Sequence, residues 1–125
     1  MSRPRVYFLL QAAAFATWWV VLLVAPAARG AFVAPGASFS SLAAFALGDL
    51  AVVALTVPVL NAARRGRAFA TTGAWLIAGA VGYAALYCLG LFALTGGAAL
   101  AAVVMVPAAA GSAWAARELA REVAV

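Results

Sequence analysis

The chain contains no histidine, no lysine, one cysteine and only three acidic residues among 125. Without histidine there is no Ser-His-Asp triad, no His-ligated zinc and no ordinary haem ligation. Without lysine there is no Schiff base, and so neither retinal attachment nor pyridoxal phosphate chemistry. A lone Cys88 forms neither an intrachain disulfide nor a CxxC redox pair, and its expected use is as a small packing residue. No Gly-rich phosphate loop follows a strand pattern. The expectation is a non-enzymatic protein with no catalytic residue, no metal and no cofactor.

Charge is scarce too, at 9% of residues against 69% hydrophobic. A water-soluble fold of this size carries roughly 25% charged residues. This chain lacks that coat, so lipid is the expected solvent for most of its surface. The net charge of +5 rests on eight arginines. An all-Arg, Ala-rich composition reads as base-composition bias, and nucleic acid is not an expected partner.

What is present is a set of long apolar runs. A bilayer core of about 30 Å takes about 20 helical residues. Four runs meet that length: 7–25, 39–60, 72–94 and 98–116. Between them lie "APAARGAFVAPGAS", "NAARRGRAFAT" and a short "TGG" turn, all credible breaks. The expected fold is an all-α integral membrane protein, one domain over 1–125, with four transmembrane helices in an antiparallel bundle. The first run follows Arg3 and Arg5 and precedes Ala25-Pro26-Ala27, a pattern shared with cleaved signal peptides. Its length exceeds the roughly 7–15 residues of a signal h-region, and a retained span is the preferred reading.

Arginines orient the spans. With both termini cytoplasmic, Arg3, Arg5, Arg64, Arg65, Arg67, Arg117 and Arg121 lie inside and only Arg29 lies outside. Seven against one is a strong positive-inside bias and places the chain in a bacterial cytoplasmic membrane. The tail "RELAREV" puts Leu119 and Val123 on one helical side and continues the fourth helix along the interface. Pro58 and Pro107 fall inside spans, where proline usually only kinks the helix. Small residues spaced by four, Ala74, Ala78 and Gly82 on the third helix and Ala98 and Ala102 on the fourth, permit close packing.

One carboxylate breaks the pattern. "FALGDLAVVAL" places Asp49 ten residues from Phe39 and eleven from Leu60. Counting inward from the cytoplasmic ends brings Trp18 and Trp19, Tyr83 and Met105 to similar depth. Gln11 shares a face with Trp18, and Tyr87 lies one turn from Tyr83. Trp and Tyr prefer headgroup interfaces, so at least one of the two tryptophans is expected to face inward. Asp49 can keep its proton and bridge helices, accept a hydrogen bond from Tyr83, Tyr87 or a tryptophan, or face water or a cation. Gly48 beside it would let a neighbouring helix or ligand come close. Asp49, Tyr83, Tyr87, Trp18 and Trp19 are therefore the candidate proton, cation or substrate site.

Two resemblances follow from these residues. Four short helices, one membrane carboxylate and nearby aromatics resemble the plan of the small multidrug resistance exporters. That implies proton-coupled export of hydrophobic cations within a dimer, although here the carboxylate lies in the second helix. A single four-helix unit is expected to enclose little volume, which makes a homo-oligomer or another membrane protein the expected partner besides the bilayer. "RVYFLLQAAAFATWWVVLLVAPAAR" followed by "LGDLAVV" resembles the N-terminal membrane region of some actinobacterial isoprenylcysteine carboxyl methyltransferase-like proteins. The likeness covers Arg5 to Val53, lacks the catalytic part, and implies an accessory or substrate-presenting role for a lipid- or prenyl-modifying enzyme.

Overall fold

The computed structural model describes residues 1–124. Among them every regular element is helical. These are α1 (Arg3–Val24), a 3-10 segment (Pro26–Phe32), α2 (Phe39–Ala43), α3 (Ala46–Arg64), α4 (Phe69–Thr95) and α5 (Ala99–Ala124). Four stretches are long and apolar enough to cross a membrane: Arg3–Val24, Phe39–Arg64, Phe69–Thr95 and Ala99–Ala124. The expected "RELAREV" extension is continuous α5, with Leu119 fully buried.

The helix ends follow from local sequence. Pro4 lies in the first turn of α1, where its missing N–H costs nothing. Ala25 precedes Pro26, is excluded from the helical region and takes φ −125°, ψ 81°. Arg29 then folds back, its Nε donating to the Leu22 carbonyl at 2.7 Å, with its guanidinium 3.8 Å from the Phe39 ring centre. The one arginine at this end thus serves an α1 C-terminal carbonyl. Helix α3 closes in a Schellman motif around left-handed Gly66: Gly66 N–H meets Ala63 O at 3.2 Å and Arg67 N–H meets Ala62 O at 2.9 Å. Helix α4 ends on left-handed Gly96, whose N–H bonds Phe92 O at 2.8 Å.

The run expected as one helix over 39–60 is divided at Ala44–Phe45. Both residues keep right-handed helical angles, but Phe45 N–H bonds Leu42 O at 3.0 Å, a tightened i−3 link. The ladder restarts with Asp49 N–H to Phe45 O at 3.0 Å. This puts Asp49 in the first turn of α3, where unpaired helix N–H groups favour a carboxylate.

Helix α1 packs on α3 and α5, and α4 packs on the same two, giving a ring in which α1 and α4 lie across from each other. Alanine allows the α4–α5 approach: Ala70, Ala74, Ala78, Ala101, Ala102 and Ala115 are all buried. Gly73 receives Val59 of α3 where a Cβ would collide. Gly82, expected to extend the Ala74–Ala78 stripe, has no neighbour within 4 Å of its Cβ position, because the stripe turns away from the contact there.

The core falls into two clusters. One joins Phe8, Val59, Ile77, Ala115 and Leu119; the other joins Leu22, Phe32, Leu42, Ala98 and Ala101. Beyond the first cluster a polar clasp ties chain ends together. Ser2 donates to Glu122 at 2.9 Å, Arg5 pairs with Glu122 at 3.5 Å, and Arg5 Nη2 donates to Ala63 O at 3.2 Å.

Candidate functional site

Asp49 lies between the two core clusters and is partly buried. Trp19 Nε1 donates to its Oδ2 at 2.7 Å, within the range of a charge-assisted bond. Of the two adjacent tryptophans, Trp19 is therefore the one on the carboxylate. Trp18 stands edge-on to Phe32 in the far cluster instead. Successive helical positions point about 100° apart, so the pair serves two neighbours.

Of the donors expected for Asp49, the tryptophan is the one found, and neither tyrosine bonds it. Tyr83 is 72% exposed, and Tyr87 tilts against Phe45 with ring centres 5.0 Å apart. Among the described residues neither hydroxyl makes a hydrogen bond. Their helix face turns outward because Ile77, Val81 and Ala85 occupy the buried one. Two other polar side chains of the second span serve their own backbone. Thr56 bonds its own Val52 carbonyl at 2.8 Å, and Ser41 bonds Ser38 O at 2.7 Å.

Two cavities meet at Asp49. The larger, about 800 Å³, takes Asp49, Trp18, Trp19, Tyr87 and Met105 into its wall. The smaller, about 310 Å³, lies between α3 and α4 and adds Gly48 and Tyr83. Gly48 has nothing within 4 Å of its Cβ position, so it borders open space rather than a close helix. The larger volume falls within the 300–1,000 Å³ typical of small-molecule sites. The expectation that one four-helix unit encloses little volume is thus corrected: the two core clusters leave a gap between them. No arginine is in either wall.

The larger cavity opens sideways. Leu10 and Val21 of α1 and Val104 of α5 line it, yet are 63%, 42% and 47% exposed. The window lies between two closures. On the clasp side, Tyr7 donates to Ala108 O at 2.8 Å and Ser112 donates to Gln11 Oε1 at 2.5 Å. On the far side, Phe32 fills the space among Leu22, Trp18 and Ala101.

The Tyr7–Gln11–Ser112 group was not among the expected site residues. Gly111 makes room for it, since a Cβ there would collide with the Tyr7 ring. A signal existed in the lone serine of "AAAGSAWAA" and the lone amide of α1. Pairing them requires the relative register of α1 and α5, which residue depth alone fixes only loosely.

Comparison of the chain with protein-family models, with curated proteins and with solved structures returns no match.

Proposed function

We propose that this chain is a small, non-enzymatic integral protein of a bacterial cytoplasmic membrane that binds hydrophobic cations at Asp49, as a small transporter or a binding module. The observation that carries the reading is one carboxylate, held by Trp19, in the wall of an apolar cavity of about 800 Å³. An intramembrane carboxylate away from any arginine has a proton or a cation as its natural partner. Asp49 is the one carboxylate among the residues of the wall, which makes it the anchor for a cation. Trp18, Trp19 and Tyr87 supply aromatic surface for the apolar body of a cation.

The four spans are antiparallel in this reading, with both termini cytoplasmic. Two contacts between α1 and α3 support it. Fourteen residues separate Arg5 from Trp19, and fourteen separate Asp49 from Ala63, so the Arg5–Ala63 and Trp19–Asp49 contacts match only if the helices run oppositely. Asp49 then stands about 21 Å above the arginine-bearing end, near mid-membrane.

The deciding experiment measures tetraphenylphosphonium binding to the purified protein in lipid nanodiscs across pH. Wild type should bind at neutral pH and lose affinity as acid protonates the carboxylate. Asp49→Asn should fold, insert and bind at least tenfold more weakly at every pH. Unchanged binding by Asp49→Asn would sink the reading.

A second reading is favoured by Tyr83. Among the described residues its hydroxyl has no partner, and its ring is 72% exposed at the middle of α4. A lipid-facing hydroxyl at that depth is unsatisfied, so a second copy or another membrane protein is a fitting neighbour. On that reading the chain is an accessory domain of a lipid- or prenyl-modifying enzyme. Mild detergent extraction followed by native mass spectrometry distinguishes a complex from a lone chain.

A further inference from the structure

The window of the larger cavity is a long slot. Leu10, Ala14, Thr17 and Val21 all line the cavity, and all four are exposed. Steps of four, three and four residues place them on one stripe of α1. The stripe covers eleven residues, about 16 Å along the helix. Val104, also exposed, forms the α5 edge. The next residue on each helix marks the inner side: Phe15 follows Ala14, Met105 follows Val104, and both are partly buried. Phe15 and Met105 belong to the smaller cavity as well, and Asp49 is in the wall of both. A path therefore leads from the slot, past Phe15 and Met105, to the carboxylate. In the topology proposed above, the slot opens onto lipid chains.

At the inner end of this path the carboxylate has one oxygen in use. Its Oδ2 accepts the Trp19 N–H at 2.7 Å. Its Oδ1 accepts nothing among the described residues, and it is not an enclosed atom. A carboxylate oxygen accepts N–H donors and gives none when ionised. A protonated amine satisfies Oδ1 by charge and by hydrogen bond together, whereas a quaternary cation supplies charge alone. The slot sets the rest of the ligand. Its edges are apolar apart from Thr17, and an alkyl chain lying in it passes from lipid to protein without meeting water.

We infer that the ligand is a single-tailed primary amine taken from the bilayer, its ammonium on Asp49 Oδ1 and its alkyl tail leaving through the slot between α1 and α5. This rests on the cation-binding reading and names the ligand class for the same site. A compact cation of equal charge reaches the carboxylate but leaves the slot unfilled.

The test uses two radiolabelled probes with one tail, hexadecylamine and hexadecyltrimethylammonium, on the protein in nanodiscs at neutral pH, with protein-free nanodiscs subtracted. Wild type should hold the primary amine about tenfold more tightly, the worth of a hydrogen bond to a charged acceptor. A third probe, hexadecylamine with a photoreactive diazirine near the far end of its tail, reports the exit. Label that excess unlabelled hexadecylamine displaces should fall on the slot, at Leu10, Ala14, Val21 and Val104. Equal affinity for the two heads overturns the inference. So does displaceable label on the α3–α4 wall at Ala80 and Val81, or no displaceable label at all. In each of these cases, tetraphenylphosphonium binding that wild type shows and Asp49→Asn lacks leaves the Asp49 reading standing. If wild type binds neither the amines nor tetraphenylphosphonium, that reading falls and the ligand class falls with it.

Discussion

The Trp19–Asp49 bond joins α1 to α3 where both side chains are partly buried. Interhelical hydrogen bonds in membranes average about 0.6 kcal/mol, and a bond to a charged acceptor lies toward the upper end, at about 1.5 kcal/mol. Trp19→Phe keeps the aromatic body and deletes the donor, so it should destabilise the protein by about 1 kcal/mol. Tyr83→Phe removes a hydroxyl that bonds nothing among the described residues, so its cost should stay under about 0.5 kcal/mol. Reversible unfolding in mixed micelles separates the two, and equal losses would show that the Trp19 donor adds nothing. Gly111 provides a steric counterpart. A methyl there meets the Tyr7 ring, and overpacking of that kind costs about 1–3 kcal/mol. Gly111→Ala should therefore lower the unfolding midpoint, and in a Tyr7→Ala background, where the ring is gone, the same methyl should cost less. At this scale the sequence exposed the existence of Asp49's partner but not its identity. Trp18 and Trp19 are chemically equal in the text of the chain, and only the rotation of α1 against α3 separates them.

Between residues and the whole chain, the helix ends carry the legible information. Pro26, Gly66 and Gly96 each act through a local backbone rule, and each ends or follows a helix where that rule applies. The break at Ala44–Phe45 has no such sign. Neither residue is Gly or Pro, and both stay in the right-handed region, so only the shift from i−4 to i−3 bonding marks it. That shift moves Asp49 from a helix interior to a helix start, which changes its electrostatic surroundings without changing its sequence neighbours. Arg29 was legible only as a charge outside the bilayer. Its Nε bond to Leu22 O and its seat over Phe39 make it a C-terminal cap for α1. Arg29→Ala should destabilise the chain by about 1 kcal/mol, whereas Arg64→Ala, an exposed side chain with no partner among the described residues, should be near neutral. The same unfolding assay checks the pair, and parity between them would remove the capping role.

For the molecule as a whole, charge and packing bear on the same question from opposite directions. In the topology proposed above, counting arginines puts the termini and the α3–α4 turn on one side, through the energetics of insertion and with no reference to contacts. The clasp of Ser2, Arg5, Ala63 and Glu122 gathers those same segments at one end, through contacts and with no reference to a membrane. The cavity, by contrast, was not legible. It depends on how far α1 and α5 separate between two closures, and an alanine-rich sequence permits many such separations. The shared side leads to a direct measurement. In a Cys88→Ala background, a single cysteine at Ala37 or at Ala68, both exposed, probes the two ends. In intact cells a membrane-impermeant maleimide should label the Ala37→Cys chain. The Ala68→Cys chain should react only after the membrane is opened. The reverse pattern would place Arg64, Arg65 and Arg67 outside, where anionic lipid and the insertion machinery give seven arginines no reason to be. Labelling of both from outside would mean that Phe39–Arg64, the span between the two probes, does not cross the bilayer, and the mid-membrane position proposed for Asp49 would be lost with it.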